Sequence, residues 1–280
     1  MNKFIEKSLA TFKTGKFYQA EREFKVGLLR SIETKSFDDV EQSLNSVLPI
    51  LESNMLFHET EIISSYYLVH LKKHKDIPIG LEPILNFLKL NFANNSYPNS
   101  TTRFFYGLLN FLENNLDSES EKFIKDTYKD FIYDSKKNPF HSEIVARLFK
   151  TLVQLSLFDE VLFISNEIYL KNMNITDELE LILYSLLILN IKGNEKKSSE
   201  ILQFLRKTVP KDIQKRSELF QCCSEFLLAS SSKDYGWAME LQQHFATILK
   251  EKTLKLLILN LIKTSFPQES KINIFDFFKN

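Results

Sequence analysis

Between Thr14 and Glu52 the apolar residues fall at three- and four-residue steps: Phe17, Ala20, Phe24, Leu28 and Leu29, then Val40, Leu44, Val47, Leu48 and Leu51. That spacing is the stripe of an amphipathic helix, written twice. Ser36 stands between the two stripes, where an N-cap would. Two helices joined this tightly form an αα-hairpin. One hairpin has nothing to cover its apolar face, so it is stable only when further hairpins stack on it.

The rest of the chain supplies them. The same periodicity predicts helices over 3–13, 17–34, 37–53, 59–73, 79–94, 99–115, 118–133, 140–155, 158–170, 177–192, 195–207, 212–230, 234–249 and 251–264. The breaks have local causes. Thr14-Gly15 ends the first helix, and Asp76-Ile77-Pro78 divides the fourth from the fifth. Asn94-Asn95-Ser96-Tyr97-Pro98 ends the fifth, because the residue before a proline avoids the helical region. Asn138-Pro139 opens the eighth, proline being well placed in a first turn. Short links favour antiparallel neighbours. The expected fold is therefore all-α, without significant sheet. It is an irregular right-handed α-solenoid of about 14 helices in antiparallel, tetratricopeptide-like pairs. No fixed consensus repeats; Leu157-Phe158-Asp159-Glu160-Val161 only echoes Ser36-Phe37-Asp38-Asp39-Val40. The polar stretch from Tyr133 to Asn138 suggests two halves, 1–135 and 136–280.

Composition removes several classes of function. Lys+Arg and Asp+Glu are both 36, so there is no basic excess of the kind nucleic-acid binding uses. With 6 glycines there is little hairpin chemistry, and neither GxGxxG nor GxxxxGK[ST] occurs to cradle a phosphate. The adjacent Cys222 and Cys223 are the whole cysteine complement, so no disulfide framework exists. No signal peptide is read in MNKFIEKSLATFK, which Glu6 and Lys7 interrupt. The run Leu181 to Leu189 is far shorter than the ~20 residues of a spanning helix. A cytoplasmic chain without membrane insertion is the expectation.

Catalytic and metal constellations are not found. His70 and His74 have i,i+4 spacing but sit among Lys72, Lys73 and Lys75, with no third ligand. Cys222 lies in the apolar pattern Phe220, Cys223, Phe226, Leu227, the setting of a packed residue rather than a nucleophile. No catalytic residue, cofactor or metal is expected. Trp237 is expected to pack. The tail differs: Pro267 is followed by Ile272, Ile274, Phe275, Phe277 and Phe278, too apolar to stay in water, so it is expected to pack back on the solenoid.

The first hairpin also resembles a known family. Gly15-Lys16-Phe17-Tyr18-Gln19-Ala20, Lys25, Arg30, Lys35-Ser36-Phe37, Thr60-Glu61, Asn138-Pro139-Phe140-His141 and the tail Pro267 with Asn273-Ile274-Phe275-Asp276-Phe277-Phe278 follow the order of markers in the Get-four adaptors. These are the solenoid subunits of the cytosolic pathway that delivers tail-anchored membrane proteins. The resemblance implies a non-enzymatic adaptor whose N-terminal half docks the Get-three ATPase. It implies that Lys25, Arg30, Lys35 and Glu61 carry that contact, and that the C-terminal half holds the ubiquitin-like Get-five partner. Two departures stand out. Pro49 is expected to kink or shorten the third helix. The stretch RKTVPKDIQKRS, within Leu205 to Glu218, lacks the alternation of the family's clamping β-hairpin, which puts the ubiquitin-like partner in question. Another helical-repeat scaffold of a cytosolic complex is the alternative, and an all-α enzyme with converging titratable groups is a third.

Overall fold

The computed structural model describes residues 3–73, 77–115, 118–169 and 175–267. Among them the chain is all-α, with fifteen α-helices and no strand. They are α1 Lys3–Lys13, α2 Phe17–Glu33, α3 Phe37–Ser53, α4 Phe57–Lys73, α5 Ile77–Asn94, α6 Pro98–Asn114, α7 Ser118–Asp134 and α8 His141–Gln154. Then follow α9 Phe158–Ile164, α10 Ile175–Ile191, α11 Glu195–Thr208, α12 Lys211–Arg216, α13 Glu218–Ser232, α14 Tyr235–His244 and α15 Lys252–Ser265. The packing of neighbouring pairs is that of a helical repeat.

The repeat is geometric. Helices α2 to α7 open at residues 17, 37, 57, 77, 98 and 118, a step of 20 or 21 residues. Three of the turns share one closure. Lys35, Met55 and Asn95 are all left-handed, with φ of 54°, 56° and 51°. In each, the amide of that residue donates three positions back and the next amide donates five back. Lys35 N reaches Ile32 O at 3.0 Å and Ser36 N reaches Ser31 O at 2.8 Å. This is the Schellman arrangement, which satisfies the last carbonyls of a helix through the backbone alone. It recurs at Ser156, Gly193 and Lys233. Ser36 occupies the N-cap position, but its side chain makes no capping bond; its hydroxyl meets that of Thr34 at 3.1 Å instead.

The chain divides into two units, Met1–Thr151 and Leu152–Asn280, and the polar break before Asn138 is a 3-10 turn, Ser135–Lys137, inside the first. In the first unit α1, α3, α5 and α7 form one layer, and α2, α4 and α6 the other. Phenylalanines tie the layers together: Phe87–Phe104, Phe92–Phe105 and Phe105–Phe131 pack with centroids 5.3, 5.7 and 4.7 Å apart. Small residues set the closest approaches. A Cβ on Gly107 of α6 would lie 1.6 Å from Ser64 Oγ of α4, and one on Gly27 of α2 would lie 2.4 Å from Ile5 Cγ1 of α1.

The second unit is arranged around α10. Every residue from Leu181 to Asn190 is buried, so this helix has neighbours on all sides. Its polar groups name them. Ser185 bonds Ser165 after α9 at 2.8 Å, the Leu186 carbonyl accepts from Ser198 of α11, Asn190 accepts from Ser230 of α13, and Tyr184 donates to Glu251 at the start of α15.

The structure amends several expectations. The helix read over 212–230 is two, because Ser217 is extended and its side chain accepts from Phe220 N, capping α13. The helix read over 158–170 changes to a wider π turn at Ser165–Tyr169. The helix read over 234–249 stops at His244 and is followed by a 3-10 turn, Ile248–Lys250. Pro49 does not shorten α3, which continues to Ser53. Pro267 is exposed. Ile274, Phe275 and Phe278 lie outside the described residues, as does His74.

Candidate docking site on the first helix pair

Helix α1 lies on α2 through Ile5, Ser8 and Phe12, all buried. The Ser8 hydroxyl donates to the Ala20 carbonyl at 2.7 Å, and Gly27 lets the Ile5 side chain approach. Beside that seam, Glu23 accepts from Lys7 at 2.8 Å, Thr11 at 2.8 Å and Gln19 at 3.0 Å. These donors hold its carboxyl down at a pKa of about 2, the Lys7 contact contributing most.

Next to Glu23, one edge of α2 faces water. Tyr18, Arg22, Val26 and Arg30 follow one another at four-residue steps, so they share one face. Tyr18 is 74% exposed and Val26 40%. The Arg22 guanidinium lies 5.9 Å from the Tyr18 ring centre, and that of Arg30 only 3.9 Å from Phe4 of α1. Between the helices runs a groove of about 330 Å³ whose lining includes Phe4, Tyr18 and Val26 with Lys7, Arg22 and Glu23. Lys7 and Glu23 neutralise each other. The groove is thus an apolar slot whose remaining lining charge, Arg22, is positive, with Arg30 at its rim on Phe4.

The four residues expected to carry docking do not converge. Lys25 pairs with Glu21 at 2.5 Å and lies over Tyr66 of α4. Arg30 is on the α1 side. Lys35 is the left-handed residue of the next turn and borders a different groove, of about 360 Å³, with Asp38, Glu41 and Glu82 in its lining. Glu61 points into the next helix pair, where it accepts from Asn110 Nδ2 at 2.7 Å. The chain of contacts continues through Arg147, which donates to Asn110 at 2.5 Å and to Glu113 at 2.7 Å, while Thr151 also donates to Glu113. Glu61 is therefore a link between α4, α6 and α8 rather than part of an open face.

Sequence reasoning missed Arg22 and Val26. The signal was available: Tyr18 and Val26 are large apolar residues lying off the buried stripe of Ala20, Phe24 and Leu28. The remaining candidates behave as packing. Cys222 and Cys223 are buried, and burial raises both thiols, Cys222 to about 12. Trp237 is half-buried on α14. His70 stacks on Tyr66, and His141 meets the Ser135 hydroxyl through Nδ1 at 2.9 Å. Among the described residues no group of three His, Cys, Asp or Glu could hold a metal, and no helix is long and apolar enough to cross a membrane.

No protein-family model matches the chain, and a search of curated proteins returns no match.

Proposed function

We propose that this protein is a non-enzymatic adaptor of the Get-four kind, a right-handed solenoid that works in the cytoplasm and docks a Get-three-type ATPase carrying tail-anchored clients. The observation that carries the reading is the α1–α2 groove. It offers an apolar slot flanked by Arg22 and Arg30 on the hairpin where the family resemblance begins. An aromatic or aliphatic anchor from the partner fills such a slot, and acidic groups beside it pair with the guanidiniums, setting register and association rate. The docking set proposed is Arg30 with Arg22, Tyr18 and Val26; Lys35 borders the neighbouring groove, and Lys25 and Glu61 position the helices. An adaptor of this type acts by preferring one nucleotide state of the ATPase, which requires differential affinity for the two states. The proposal does not extend to the ubiquitin-like partner, since helix α12 stands where the family's clamping hairpin would.

A second reading has one observation in its favour. Two steps of 20 or 21 residues make a pair of about 40, against ~34 for a tetratricopeptide repeat, so a scaffold of another helical-repeat complex fits the spacing. Calorimetric titration into the ATP-bound ATPase of the same organism separates the two. The adaptor reading expects salt-sensitive binding that Arg22→Glu or Arg30→Glu weakens by about tenfold or more. Absence of binding at low salt leaves the scaffold reading.

A further inference from the structure

The connection from α11 to α13 is the most basic stretch of the chain. Arg206, Lys207, Lys211, Lys215 and Arg216 fall within it, and Asp212 is the single carboxylate between them. All five cations are exposed. A helix in a folded chain ordinarily forms by burying one face, yet α12, which carries three of the five, has no buried residue. Two glutamine amides hold it instead. Gln214 Nε2 donates to the Arg206 carbonyl at 2.9 Å and to that of Val209, which ties α12 to the end of α11. Gln221 Nε2 of α13 donates to the Gln214 and Lys215 carbonyls. Val209, between the two helices, is buried and anchors the connection. The corner is a fixed mount whose charged side chains all reach water.

Its neighbours add to the same sign. Ser230 meets both Asn190 and Ser265, so the C-terminal ends of α10, α13 and α15 lie together. The α11–α13 corner is therefore at the other end of the second unit, with the turn from α14 to α15. That turn brings exposed Lys250 and Lys252. The described carboxylates of this end are Asp212, Glu218 in the first turn of α13, Glu251 and the half-buried Glu180 of α10. Glu251 caps α15, accepting from Thr253 N and Leu254 N, and counts in full. Glu200 and Glu225 are each about two turns from the corner along their helices. The side chains of Lys171, Asp177 and Glu178 are outside those described. Among the described side chains of this end, seven Lys and Arg stand against four carboxylates, in a chain of zero net charge. Two apolar side chains lie among the cations of the corner: Phe204 in the last turns of α11, 42% exposed, and Ile213 of α12, 37% exposed.

We infer that this end of the second unit rests on an anionic membrane surface, with α12 as the contacting element. Five Lys and Arg on a short helix and its approach, with apolar side chains beside them, form the kind of cluster that holds a peripheral protein to anionic headgroups. The basic side chains stay at the level of the phosphates, while their stems, Phe204 and Ile213 enter the interface. A nucleic acid would match the charge but not the rest. It gives Ile213 nothing to pack on, and one exposed phenylalanine offers a strand a single base to stack. The contact does not depend on the ATPase reading. Arg22 and Arg30 belong to the first unit, so titration of the ATPase reports on that reading separately.

Flotation with phosphatidylcholine vesicles, with and without phosphatidylserine, tests the inference. The protein should float with the serine-containing vesicles, less as salt rises, and weakly with phosphatidylcholine alone. Lys207→Glu/Lys211→Glu/Lys215→Glu should lower binding more than about tenfold. Phe204→Gln/Ile213→Gln should lower it as well, most at high salt, where the electrostatic share is screened. Both variants change exposed side chains, so both keep the fold, as circular dichroism would verify. Lys13→Glu/Lys16→Glu/Lys136→Glu makes the same change of charge on the first unit and should leave flotation close to wild type. Failure of the wild type to float with serine-containing vesicles at low salt overturns the inference, as does wild-type flotation by the α11–α12 charge variant. An equal loss in the first-unit variant also overturns it, since the effect would then follow total charge. Tighter binding to a fluorescent single-stranded oligonucleotide than to the vesicles at the same salt overturns it too, assigning the corner to nucleic acid.

Discussion

The two units bury their apolar surface by different routes. In the first, helices in two layers each offer a face to the opposite layer, and α2 to α7 open every 20 or 21 residues. In the second, one helix, α10, is covered all round, and the elements around it are shorter and unevenly spaced. A ladder spreads its contacts along the chain, so each rung matters to its neighbours. A hub gathers them, so one element matters to most of the others. The difference also shows at the surface: a ladder leaves an exposed face on every rung, and the α1–α2 groove is of that kind.

The largest test of this contrast is Leu187→Ala in the hub. Leu187 is fully buried on the helix that packs against α9, the π turn after it, α11, α13 and α15, and its truncation should cost about 3–5 kcal/mol in urea unfolding. An equivalent loss for Leu71→Ala, at the end of α4, would erase the distinction between hub and ladder. Next comes Gly107→Val in the ladder. Its side chain would fall on Ser64 and the Glu61 carbonyl, forcing α4 from α6 at a cost of about 3 kcal/mol. Loss of the urea transition of the first unit with the second intact would show that the units fail separately.

The smallest effect is a pH dependence confined to the first rung. The Glu23 carboxyl is held at about 2, below its ordinary 4.5, so the folded state releases this proton more readily than the unfolded one. Its contribution is complete above pH ~4.5 and is lost as pH falls through about 2. Urea midpoints between pH 5 and 2 should therefore decline less in Glu23→Gln than in the wild type. Parallel declines would remove Glu23 from the packing of α1 on α2.

Much of the ladder was legible because two signals coincide there. The apolar stripe gives each helix its face, and a glycine, asparagine or serine group marks most of its ends. The closure of the turns was not legible. It is made by backbone groups, so its left-handed position is filled by Lys35, Met55 and Asn95 alike, and no letter repeats. The break at Ser217 was hidden for a related reason: no proline or glycine stands there, and one serine changes from helical to capping. Of the proposed docking set, Arg30 was named from the resemblance. Glu61, also named from the resemblance, accepts from Asn110 on the second helix along, a contact that a sequence does not distinguish from solvent. Arg22 and Val26 were not singled out, because only the packing of α1 turns their edge into a groove.

The paired cysteines give the molecule a built-in clock. Thiols react as thiolates, and those of Cys222 and Cys223 are buried and held protonated, so reagent reaches them only when α13 leaves its neighbours. The chain has no other cysteine. The rate at which an alkylating agent consumes its thiols thus times the opening of the second unit alone, without any label having been introduced, while the first unit stays silent.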